Sequence, residues 1–185
     1  MPGVAATLVG MRTLGGSDCE AVRDAVLAQP VNSLSSLAYV AAGAYVVRRG
    51  GPVAPAVALA AVGAGSVVYH GPMPPGAELV HDGAIVALIA TTCWAAWRRR
   101  PWPRPPLAAL AAAAVAAAAN VLSRTAAPLC RPHSLLQGHA VWHALTALAL
   151  ALWLTRAWRE PQAGEEAGAR NSRPSNVPDR RQPSM

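Results

Sequence analysis

The feature that most constrains this chain is a series of five long apolar runs separated by short stretches of Pro, Gly and Arg. They run from Val31 to Val47, Val53 to His70, Leu79 to Trp97, Pro106 to Leu122 and Leu135 to Trp158. Each is near the length of about 20 residues (roughly 17–25) that a helix needs to cross the hydrocarbon of a bilayer. In lipid every backbone polar group must be satisfied within the segment, so helices are the expected form. Gly50-Gly51-Pro52, the Gly71 to Gly76 stretch and Pro101 to Pro106 mark the junctions. The expected fold is all-α: a polytopic membrane bundle of five transmembrane helices spanning 31–158. An extracytoplasmic segment, 1–30, precedes it, and a disordered cytoplasmic tail, 159–185, follows.

Charge supports this reading. Only 14% of residues are charged and 53% are hydrophobic, whereas a soluble domain carries about 25% charge. Every basic residue is Arg. They cluster between the runs, at Arg48-Arg49, at Arg98-Arg99-Arg100 with Arg104, and at Arg156 with Arg159. Nucleic-acid binding needs a folded basic face, and these clusters instead resemble cytoplasmic membrane loops. No nucleic-acid partner is expected. The loop from Gly71 to Glu78 holds no Arg, and the loop before the fifth run holds only Arg124 and Arg131. Loops one and three and the tail are therefore assigned to the cytoplasm, which puts the N-terminus outside, as an odd number of spans requires. The apolar run Val4 to Met11 is short and follows no positive region, so it does not read as a secretory signal.

On this topology the ionisable residues converge. His70 closes the second run at its outer end, Asp82 lies about a turn into the third, and His139 and His143 open the fifth. At 1.5 Å per residue all lie within roughly 12 Å of the outer boundary. An intramembrane carboxylate costs at least roughly 2.5 kcal/mol unless paired or hydrated. Asp82, the sole acid inside the five runs, is therefore expected to face the histidines. The bland alternative is an acidic residue at a helix N-terminus. His139 and His143, at i and i+4, share a helix face. Alone they read as hydrogen-bonded core residues, but a third histidine points to three His plus an open position, the common form of a catalytic zinc site. Ser66 lies one turn before His70 and has two readings, an active hydroxyl or a small residue allowing close packing. His81 is expected at the interface, pointing about 100° from Asp82, and His133 in a loop without a role. A haem-binding protein with two axial histidines and a non-enzymatic membrane protein binding a lipid ligand are the rivals.

These residues carry a resemblance. Asp18-Cys19-Glu20, Asn32-Ser33-Leu34-Ser35, the Ser66 to His70 spacing, Asp82, and the stretch Leu136-Gln137-Gly138-His139-Ala140-Val141-Trp142-His143-Ala144-Leu145-Thr146 together resemble the alkaline ceramidases. That family belongs to the superfamily of membrane hydrolases that includes the progestin and adiponectin receptors. The resemblance implies that His70, His139 and His143 hold zinc, that Ser66 and Asp82 sit beside the water it activates, and that the reaction is hydrolysis of the amide of ceramide or a related N-acyl lipid. It also implies candidate calcium ligands in Asp18 and Glu20. The chain departs from the family in two ways. Family members have seven spans, and here only one further helix fits between Asp82 and His139. The downstream calcium positions are also unmatched.

Cys19 and Cys130 both fall outside on this topology, where disulfides persist, and are expected to pair across the site; three unrelated cysteines is the alternative. Cys93 is expected to be a buried free thiol. The expected location is the plasma or inner membrane, with a lipid substrate and a candidate homodimer through small-residue helix faces.

Overall fold

The computed structural model describes residues 17–99 and 102–158, so the expected disordered tail, Arg100 and Arg159 lie outside the described residues. Among these residues the protein is entirely helical apart from turns and loops. Its helices are α1 (Pro30–Ser35), α2 (Leu37–Arg48), α3 (Val53–His70), α4 (Ala77–Arg98), α5 (Leu107–Leu122) and α6 (Gly138–Ala157).

Proline and glycine set the boundaries. Pro30 occupies the first turn of α1, Pro52 and Pro106 precede α3 and α5 in extended conformation, and Gly76 precedes α4 at φ 85°. At the start of a helix, proline removes only an N–H that had no partner. Pro55, also within the first turn of α3, is tolerated for the same reason.

The first apolar run forms two helices because its own hydroxyls compete for the ladder. Ser35 Oγ and Ser36 Oγ both donate to the carbonyl of Asn32, at 3.0 and 2.7 Å. Such back-bonding bends helices. The fifth run starts as a helix at Gly138 rather than Leu135. Ser134 Oγ accepts from Leu136 N (3.0 Å), and Gln137 Nε2 donates to the carbonyls of Ser134 (2.7 Å) and Arg131 (3.0 Å), which closes a non-helical turn.

The core lies where α2, α3 and α6 meet, around Tyr39, Val46, Leu59, Val62 and Leu154. α4 packs along α3 and α5 along α6, but α4 and α5 share no extensive interface. Among the described residues, three helices, α3, α4 and α6, are long and apolar enough to cross a membrane. α5 rises about 24 Å, short of the roughly 30 Å hydrocarbon core. In α4 only 17% of its apolar window is buried within the protein. Leu79, Val86, Ile89, Trp94 and Trp97 are all exposed. An apolar surface of that extent marks a contact with lipid or with another apolar partner.

Cys93 is free and exposed on this helix, not buried as the sequence suggests. The thiol sits on the side of α4 that no other helix covers.

Candidate metal centre

Two helices, α3 and α6, bring three histidines into one cluster. His70 ends α3 and is fully buried, and His143, in the second turn of α6, is 2% exposed. His139 stands one turn before His143. Their ring centroids are 4.4 Å (His139 to His143), 5.0 Å (His70 to His139) and 5.4 Å (His70 to His143) apart. One ring nitrogen from each lies within 4.8 Å of the others, so the three could hold a metal ion.

The hydrogen bonds identify which nitrogen. His70 Nδ1 faces Gln29 Oε1 at 2.7 Å. That amide is oriented by its other end, since Gln29 Nε2 donates to the carbonyl of Glu20 at 2.8 Å. An amide oxygen only accepts, so the His70 proton is on Nδ1 and Nε2 carries a lone pair. His70 Nε2 is buried and has no partner. His139 Nδ1 faces Asn120 Oδ1 at 3.1 Å, with Asp18 Oδ1 behind it at 3.5 Å. His143 Nδ1 faces Ser35 Oγ at 3.0 Å, a hydroxyl whose proton goes to Asn32. All three imidazoles thus spend Nδ1 on a neighbour and leave Nε2 free, the arrangement by which outer partners orient metal-binding histidines. An orphaned buried nitrogen costs about 1–3 kcal/mol, which a metal bond would remove. The residues fit the ion. The rings meet edge to face or tilted, with centroids 4.4–5.4 Å apart.

Gln29 is held twice, because its backbone N–H also donates to the His70 carbonyl at 2.8 Å. The segment carrying it is clamped by the Cys19–Cys130 disulfide and by Cys19 N–H donating to Thr125 Oγ1 at 3.3 Å.

The carboxylates fall differently from the sequence reading. Glu20 accepts from the N–H groups of Val31 (2.9 Å) and Asn32 (2.8 Å), capping the start of α1, where the helix dipole favours an anion. Asp18 faces His139. Asp18 and Glu20, the two expected calcium ligands, thus face different partners, His139 and the start of α1. Among the described residues, the three histidines are the group of His, Cys, Asp and Glu side chains that converges.

Asp82 and His81 exchange places relative to expectation. Asp82 is 61% exposed and its Oδ1 lies 2.9 Å from His81 Nδ1. It is His81, stacked on Tyr69 at 4.9 Å and 6.4 Å from the His70 ring, that faces the cluster. The cause is helix register. A Cβ on Gly65 would lie 3.3 Å from His81 Cα, so the bare glycine lets α3 meet α4 at His81, and the next residue turns outward by about 100°.

Ser66 is fully buried, and its Oγ is hydrogen-bonded to Ser36 Oγ at 2.8 Å. Ser36 Oγ is also 3.3 Å from His143 Nδ1. His133 lies in the loop before α6 and joins no cluster.

A cavity of about 460 Å³ opens from the histidines into the space between α4 and α5, a size typical of small-molecule sites. His81, His139 and His143 line one end, and the rest is apolar apart from Tyr39 and Thr146. Tyr39 Oη and Thr146 Oγ1 are hydrogen-bonded to each other at 2.6 Å. Gln29, Asn120 and His81 are the site residues that sequence reasoning missed. Gln29 and Asn120 lack a local signal, and the inward turn of His81 follows from the approach of α3 to α4 at Gly65, a contact between elements.

The chain matches no known protein family, no curated protein and no solved structure.

Proposed function

We propose that the protein is a zinc-dependent intramembrane hydrolase that cleaves the amide bond of ceramide or a related N-acyl lipid. One observation carries the reading: ring nitrogens of His70, His139 and His143 lie within 4.8 Å of one another, and His139 and His143 also line an otherwise largely apolar cavity. A structural zinc site is closed by four protein ligands, and a catalytic one keeps three and an open position. No fourth ligand joins the three among the described residues, which favours the catalytic form. The reading also rests on the resemblance to alkaline ceramidases.

Zinc in such a set supplies Lewis acidity to a carbonyl and brings the pKa of its water to about 7. The chain's own residues do the remainder. The apolar walls take the acyl chain and leave the amide at the histidine end. His81 and Asp82, joined at 2.9 Å, are assigned to carry the proton from the attacking water to the leaving amine. Ser66, linked through Ser36 to His143, is assigned to support charge on the carbonyl oxygen. The arginine pattern supports a plasma or inner membrane location with the histidine end outside.

The test is metal content and turnover of a fluorescent N-acyl sphingoid base by detergent-purified protein. One zinc per chain with turnover is expected. A folded His70→Ala variant that keeps both its zinc and its amidase activity defeats the reading, and zinc without turnover in the native chain favours a lipid-binding protein.

A further inference from the structure

The cavity has a direction. Its lining on α6 follows one helix face from the histidines through Thr146 and Leu150 to Trp153, and the antiparallel α5 supplies Ala113 and, near the same far end, Pro105 precedes it. From His143 to Trp153 the helix rises about 15 Å, which is one leaflet's share of a hydrocarbon core of about 30 Å. At that end Trp153 is fixed, because its indole N–H donates to the carbonyl of Pro103 at 3.1 Å. A lining indole held in this way is placed to act as a stop.

We propose that Trp153 sets the length of acyl chain this cavity accepts: the polar group of a single-chain lipid or N-acyl lipid lies at the histidines and its terminal methyl meets the indole. This rests on the reading of the cavity as a lipid site, but not on hydrolysis or on the metal.

The test is binding without turnover. Full-length protein in nanodiscs is loaded with a fluorescent fatty acid, which is displaced by saturated fatty acids of increasing length. Each methylene buried improves affinity by about fourfold until the chain reaches the stop, after which the gain ends. In Trp153→Ala the break moves to chains at least two carbons longer. In Ala149→Leu, which adds bulk to the lining partway along, it moves to shorter chains. Trp153→Leu gives a smaller shift in the same direction as Trp153→Ala and replaces it if the alanine variant does not fold. Breaks that move in opposite directions support the proposal. A break that stays fixed in the folded Trp153 variants, whether or not Ala149→Leu shifts it, overturns it, as does binding with no dependence on length. Loss of hydrolysis with the length break intact would reject the enzyme reading alone.

Discussion

His70 Nδ1 and Gln29 Oε1 stand 2.7 Å apart, and because that oxygen can only accept, a residue in the loop before α1 decides the tautomer of a histidine at the end of α3. Gln29→Leu removes the acceptor and is expected to weaken zinc affinity about 10–100-fold. Gln29→Glu keeps an acceptor and should retain most of it. Competition against a chromogenic chelator reads both, and equal affinity in all three proteins would remove Gln29 from the site.

His81→Ala and Asp82→Asn should each lower lipid-amide turnover by about 10²- to 10⁴-fold while zinc content stays at the native value. Metal analysis beside the rate assay separates this from collapse of the site. Full turnover in both variants would strip the pair of its assigned role.

The disulfide joins residues 111 positions apart, and its removal by Cys19→Ser is expected to cost about 2–5 kcal/mol of stability. Zinc should also be held more weakly, since Asp18 next to the bridge lies 3.5 Å from His139. Denaturant unfolding and chelator competition on the variant, and on native protein under reductant, test the two effects separately.

A Cβ on Gly138 would meet Ser123 Oγ and lie 2.5 Å from the carbonyl of Ala119. Gly138→Ala should destabilise the protein by about 1–3 kcal/mol and displace the adjacent His139. A Cβ on Gly83 would touch nothing within 4 Å, so Gly83→Ala should leave stability unchanged or raise it by up to about 1 kcal/mol. The difference in unfolding midpoint between the two is the measurement.

Orientation is open to direct labelling. In a Cys93→Ser background, a cysteine at Leu135, which is 84% exposed, should react with an impermeant maleimide in intact cells. One at Trp102 should react only after permeabilisation. The reverse pattern would invert the topology.

Much of this arrangement is written in the sequence at the level of local pattern. Apolar runs and their Pro and Gly borders give the helices, and histidines at matching ends of those runs give the cluster. The Ser35-Ser36 pair after Asn32 even contains the bend between α1 and α2, in hydroxyls one turn from a carbonyl they can reach. What local pattern omits is rotation and long-range partnership. Whether His81 or Asp82 turns inward depends on α3 approaching α4 at Gly65, a contact between elements. Asn120 and His139 meet only because α5 and α6 are antiparallel and closely packed. That Glu20 accepts from the first N–H groups of α1 is likewise a contact that residue spacing does not announce. Cys93 reads as buried because it lies mid-helix, yet α4 has a neighbour on one side only.

The unclosed seam between α4 and α5 has a kinetic meaning. A lipid substrate of the kind proposed, entering there from a surrounding bilayer, would travel in two dimensions without leaving that bilayer. Its capture then follows mole fraction among neighbouring lipids, not solubility in water, so diluting the bilayer with inert lipid slows the protein while diluting the suspension does not.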